Sequence, residues 1–162
     1  MNLQPGKHYI GVGVGGIITG SDGRILLARR SSAARNQRGQ WENPGGALEF
    51  GERFEDAIVR EIREELDIEV VPEGLLRVVN HIIPADHQHW VSPTFVCRHI
   101  RGVPHINEPL KCSAVEWFAL NDLPEPLTAI SRTDLEYYRH AIESGRPLLP
   151  VAWCAPELPV SR

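Results

Sequence analysis

Glu61, Glu64 and Glu65 stand three and four residues apart in the segment REIREEL. On an α-helix that spacing stacks their carboxylates on neighbouring turns of one face. Like charges placed so destabilise a helix by about 0.2–0.5 kcal/mol per pair, so the arrangement asks for a cation. Mg2+ (or Mn2+) fits, because hard cations choose carboxylate oxygens and keep open positions for the oxygens of a phosphate. An exposed helix in which Arg60 and Arg63 offset the glutamates would carry a similar composition. The approach to the helix separates the two readings. Trp41 to Gly46 reads WENPGG, a turn whose backbone bends sharply, comes close to a ligand and offers carbonyl oxygens.

The elements that must hold these groups are legible nearby. From Arg53 to Leu66 there is no Gly or Pro, and Ile58, Val59, Ile62 and Leu66 make an apolar stripe beside the acidic face. Ile10 to Thr19 and Arg24 to Ala28 read as a hairpin across Ser21-Asp22-Gly23. The run GVGVGG satisfies G-x-G-x-x-G, but it lies within a strand and leads into a turn, which excludes a dinucleotide fingerprint. Glu69 to Ile83, interrupted around Pro72-Glu73-Gly74, and Val91 to Arg101 should complete a mixed sheet. Ala114 to Leu120 is a further strand, and Ile130 to Glu143 a second helix stopped at Ser144-Gly145.

The segment from Gly46 to Ile68 resembles the box of the Nudix hydrolases, G-x5-E-x7-R-E-U-x-E-E-x-G-U with U a bulky aliphatic. Gly46, Glu52, Arg60, Glu61, Ile62, Glu64, Glu65 and Ile68 fall in register, and Asp67 replaces the late glycine. Asp tolerates a left-handed helix cap less well than Gly, so the helix end should be altered. The resemblance extends over roughly residues 8 to 145 and is greatest to MutT-type nucleoside triphosphate diphosphatases, through GGALEFGE and EPLKC…EWF. It implies an α/β fold: an α/β/α sandwich with a mixed central sheet and a loop-helix-loop catalytic motif. It also implies Mg2+ (or Mn2+) held by Glu61, Glu64, Glu65 and the Gly45 carbonyl. Arg60 would orient Glu61, and Glu52 would fix the loop. The general base stays open between a box glutamate and a later acid, Glu108 or Glu116. Arg30 matches a basic strand-end position of MutT-like enzymes and is expected to grip substrate phosphate; Lys there should weaken binding and leave the fold intact.

The implied reaction splits a diphosphate linkage in a nucleoside diphosphate derivative, with nucleoside triphosphates leading. ADP-ribose or a nucleotide sugar is the alternative substrate, and a non-catalytic nucleotide sensor the alternative class. The 162 residues suit one domain over 1–162 with a Pro-rich tail over 146–162, whose packing the sequence leaves open. Nothing in the chain suggests a membrane span or a secretory leader, so a cytoplasmic protein is expected. A net charge of −4 argues against general nucleic-acid binding. A homodimer is frequent in similar proteins. Cys97, Cys112 and Cys154 read as reduced thiols. His87 and His89 suggest a loop beside the substrate, and Trp117 and Phe118 suit core packing first, with aromatic faces for a base as the alternative.

Overall fold

The computed structural model describes residues 3–150. A mixed seven-stranded sheet forms its centre. The strands are β1 (Gly11–Thr19), β2 (Ile25–Arg30), β3 (Trp41–Glu42), β4 (Gly45–Ala47), β5 (Glu69–Ile83), β6 (Gln88–Arg101) and β7 (Cys112–Phe118), with helices α1 (Phe54–Leu66) and α2 (Ala129–Glu143). The spatial order is β3-β2-β1-β6-β5; β4 pairs with β1 and β7 with β2. β1 runs parallel to β6 and antiparallel to β2 and β4.

Strand alternation sends neighbouring residues to opposite faces, and each face has its own helix. Ile18 and Leu26 pack with Ala57, Ile58, Ile62 and Leu66 of α1. Their neighbours Ile17, Ile25 and Leu27 pack with Leu135 and Ala141 of α2. The result is the expected α/β/α sandwich. The second helix begins at Thr128, whose Oγ1 accepts from Ser131 N, and is tied to the sheet by a buried acid. Asp134 is only 1 % exposed. It accepts from Thr94 Oγ1 at 2.8 Å, and Arg77 Nε lies 2.8 Å from its other oxygen, off the N–H direction.

Two elements differ from the sequence reading. The interruption at Pro72–Gly74 is absorbed by bulges, so β5 is one long edge strand that tolerates Pro72. β6 starts at Gln88 rather than Val91, because the ladder continues through His81↔Trp90 to Ile83↔Gln88 before a short turn at Pro84–Asp86. Beyond α2 the described chain returns to the sheet, where Leu149 exchanges both backbone hydrogen bonds with Leu75. The rest of the expected tail, 151–162 with Cys154, lies outside the described residues. Among the described residues no helix is long and apolar enough to cross a membrane.

α1 ends on Asp67 in the left-handed conformation (φ 54°), its N–H donating to Arg63 O. An acid there combines a Cβ penalty with a charge at the negative end of the helix dipole. Asp67→Gly should therefore raise stability by about 0.5–1 kcal/mol, read as a higher urea midpoint at unchanged m-value; an unchanged or lower midpoint would show that the cap is not strained.

Candidate active site

The Gly-Gly turn is required by what lies against it. A Cβ on Gly45 would sit 2.1 Å from Val14 O, and one on Gly46 would sit 2.2 Å from the Glu61 carboxylate. Leu48 N donates to Val12 O and Gly16 N to Pro44 O, which makes Val14↔Gly46 the hydrogen-bonded pair between them. Gly15↔Gly45 is then a non-bonded pair, and the Gly45 carbonyl turns away from β1.

Arg60 organises the acids. Its Nε and Nη2 grip Glu52 at 2.7 and 2.8 Å, Nη1 donates to Glu61 at 2.9 Å and to Glu64 at 3.2 Å, and Nη2 also reaches Ala47 O. Glu52 in turn accepts from Glu49 N, so the loop before α1 is closed on itself. These hydrogen bonds from Arg60 hold the Glu52 carboxyl below the usual range. Glu61 is 8 % exposed, whereas the Glu64 side chain is 59 % exposed.

Glu65 is in a different situation. Burial pushes its pKa up to about 8; Lys111 opposes the rise, and Glu61, Glu42 and Glu108 add to it. Lys111 Nζ stands 3.9 Å from Glu65 and 2.7 Å from Glu108, so of the two later acids Glu108 approaches the box. Glu116 sits on β7 opposite Leu27 and is exposed.

A cleft of about 610 Å³ opens from Glu65 and the Gly-Gly turn. Residues two apart on β6, namely Gln88, Trp90, Ser92 and Thr94, form one wall. His81 and Ile83 of β5 lie beside them, and burial lowers the His81 pKa. The histidines expected at the substrate take the alternate positions: His87 is exposed in the turn, and His89 Nε2 bonds Asn80 at 2.6 Å. Trp117 and Phe118 also turn elsewhere, Trp117 onto the α1 core and against His99, Phe118 edge-on to Trp41. Core packing is what the structure shows for both.

Arg30 lines the cleft, yet each of its guanidinium nitrogens has a protein partner. Nη1 meets both Glu42 oxygens at 2.8 Å, while Nε and Nη2 hold Asn36. Glu42 lies deep enough for burial to raise its pKa against the pull of Arg30. Next to it, Asn43 keeps both side-chain amide atoms buried without a hydrogen-bond partner.

A NUDIX domain model matches residues 10–140. The chain belongs to the Nudix family. A MutT NUDIX hydrolase structure from Burkholderia pseudomallei is 43 % identical, with a TM-score of 0.73 over 78 % of this chain and 96 % of that one. The CTP pyrophosphohydrolase of Escherichia coli (strain K12) is 35 % identical over 130 residues, 78 % of this chain and 89 % of the relative. An ADP-ribose pyrophosphatase of Methanocaldococcus jannaschii is 35 % identical over 114 residues, 70 % and 64 %.

Nudix enzymes generally depend on a divalent metal, and the donor set here fits a hard cation: the buried Glu61 carboxylate, the half-buried Glu65 and a backbone carbonyl free of its ladder. Among the described residues no three acidic, His or Cys side chains already converge as ligands, because Glu61 and Glu64 turn to Arg60. The Nudix box is thus neutralised from within on one side and left short of positive charge at Glu65.

Two outcomes follow for stability. In the folded protein Glu65 keeps its proton up to about pH 8, whereas in the unfolded chain it is lost above about 4.5, so the folded state binds more protons between these values. Without metal, stability should fall as pH rises through that window, and Glu65→Gln should remove the slope, adding on the order of 2–4 kcal/mol at pH 8.5 and nothing near pH 4.5. Urea unfolding in EDTA at both pH values measures this; parallel curves for the two proteins would exclude it. Separately, Arg30→Lys loses the paired donors that hold Glu42 and Asn36 and should lower stability by about 1–3 kcal/mol; an unchanged thermal midpoint would return Arg30 to a purely substrate-facing role.

Proposed function

We propose that this Nudix pyrophosphohydrolase converts a nucleoside triphosphate to the monophosphate and pyrophosphate, using Mg2+ (or Mn2+). The observation that carries the reading is the half-buried, under-neutralised Glu65 beside the buried Glu61 at the mouth of a nucleotide-sized cleft. An acid that burial holds protonated there, and that a cation arriving with substrate would ionise, is matched to that cation.

Glu61, Glu64, Glu65 and the Gly45 carbonyl are the residues that would hold the metal. When bound, a divalent ion offsets the charge of the phosphate oxygens and stabilises the departing pyrophosphate. Arg60 positions Glu61 and Glu64 and, through Glu52, the loop that carries Gly46. Glu64 is far more exposed than Glu52, Glu61 or Glu65, and we assign it the proton of the attacking water. Arg30 serves the substrate through Glu42 and Asn36, which it orients along the cleft wall.

The CTP pyrophosphohydrolase relative, matched over most of its length, supports a triphosphate substrate. The ADP-ribose pyrophosphatase relative supports the second reading, ADP-ribose or a nucleotide sugar, over a smaller share. Release of pyrophosphate against orthophosphate or sugar phosphate, compared by kcat/KM across triphosphates, ADP-ribose and nucleotide sugars, separates them.

At saturating magnesium, Glu65→Gln should lower kcat by about 10²- to 10³-fold, as expected when a charge that stabilises the transition state is removed. EDTA should abolish turnover of the native enzyme. Near-native kcat in the folded variant would dismiss Glu65 from the site.

A further inference from the structure

The far wall of the cleft contains a side chain the proposed reaction does not use. Gln88 is 6 % exposed and lines the cleft. Its Oε1 accepts from Trp90 Nε1 at 3.3 Å and from Asn36 Nδ2 at 3.4 Å. An indole N–H is only a donor, so it fixes which end of the Gln88 amide is oxygen. The other end is then Nε2, with two hydrogens. No acceptor among the described residues takes them, and Nε2 is not among the buried partnerless atoms, so it is reachable from the cleft.

The support behind Gln88 is continuous with the acidic site. Asn36 donates to Gln88 and accepts from Arg30, and Arg30 grips Glu42. Glu42 is one of the charges that raise Glu65. A side chain buried to this degree, held from behind and turned outward with donors alone, is built to read an acceptor.

We propose that Gln88 is a specificity-determining residue: its Nε2 donates to an oxo group on the nucleobase, and Trp90 and Asn36 are positioning residues that keep it from flipping. Resting on the triphosphate reading above, this deepens it by naming the substrate class, bases with a keto oxygen where others carry an amino group. An amino group at that position would face Nε2 donor to donor. The buried amide would then be left unsatisfied, which disfavours the wrong base.

The test uses base pairs that differ at this exocyclic group and in the protonation of the ring nitrogen beside it: ITP against ATP, and UTP against CTP. The native enzyme should favour the oxo member by about tenfold or more in kcat/KM, the scale of one hydrogen bond made or lost. Gln88→Glu keeps an oxygen for Trp90 and Asn36 but turns an acceptor to the cleft, so the oxo/amino ratio should shift at least tenfold toward the amino member while overall activity falls. Trp90→Phe removes the fixing N–H without adding charge; the amide can then rotate, and the ratio should collapse toward one. Circular dichroism and thermal midpoints confirm that each variant is folded. Binding of IMP and AMP by calorimetry gives the same ratio without turnover, so failure of the triphosphate reading leaves this inference measurable. If triphosphates are not hydrolysed but the IMP/AMP ratio shifts with Gln88→Glu, the reaction assignment is wrong and the base reader stands. Ratios identical in the native enzyme and Gln88→Glu would overturn it.

Discussion

Negative charge crowded onto one end of α1 is the constraint the rest of the structure answers. Glu52, Glu61 and Glu64 all converge on one guanidinium, and Arg60 also takes the Ala47 carbonyl. A single planar fork can do this because its donors point in several fixed directions. Lysine, a point charge on a flexible stem, could neutralise the acids without setting their geometry. The loop from Ala47 to Glu52 is therefore held by the same residue that orients the helix acids, which ties the two halves of the box together.

Glu65 stands outside that arrangement. It lies on the buried edge of the helix, with Lys111 at 3.9 Å as its ion contact among the described residues. A fold optimised for stability would place an apolar residue or a closer cation there. The cost of keeping the acid is the reason its position points to chemistry, and it explains why the cleft begins at that residue. Asn43, with its amide buried and partnerless, is a second local cost on the same wall. Such costs collect where a site must stay ready for something that is not protein.

What the sequence made legible was whatever depends on local spacing. The helix, its acidic face, the Gly-Gly approach and the Asp67 stop all follow from residues within one or two turns, and the glycines are explained by atoms only a strand away. The α/β/α sandwich was legible through the resemblance of the box, and the structure divides Ile18 and Ile17 between its two cores. Side-chain partners were not readable. Arg30 looked free for phosphate because nothing in the local sequence reveals that β3 brings Glu42 against it. For Trp117 and Phe118 the sequence offered both the core and a base, and the pairing of β7 with β2 places them in the two cores.

The histidines, read from the sequence as part of a loop, lie in the turn and on a strand that starts three residues earlier than expected. His87 and His89 drew attention by residue type, while the strand's period of two assigns Gln88, Trp90, Ser92 and Thr94 to the cleft. That pattern was present in the sequence, but its phase was not. The phase is set by pairing with β5, where Ile83 meets Gln88 across a turn that starts at Pro84. Shifting the register by one residue would bring His87 and His89 into the cleft and withdraw the amide and indole. The hairpin turn, far from any acid of the box, thus decides which functional groups face the cleft.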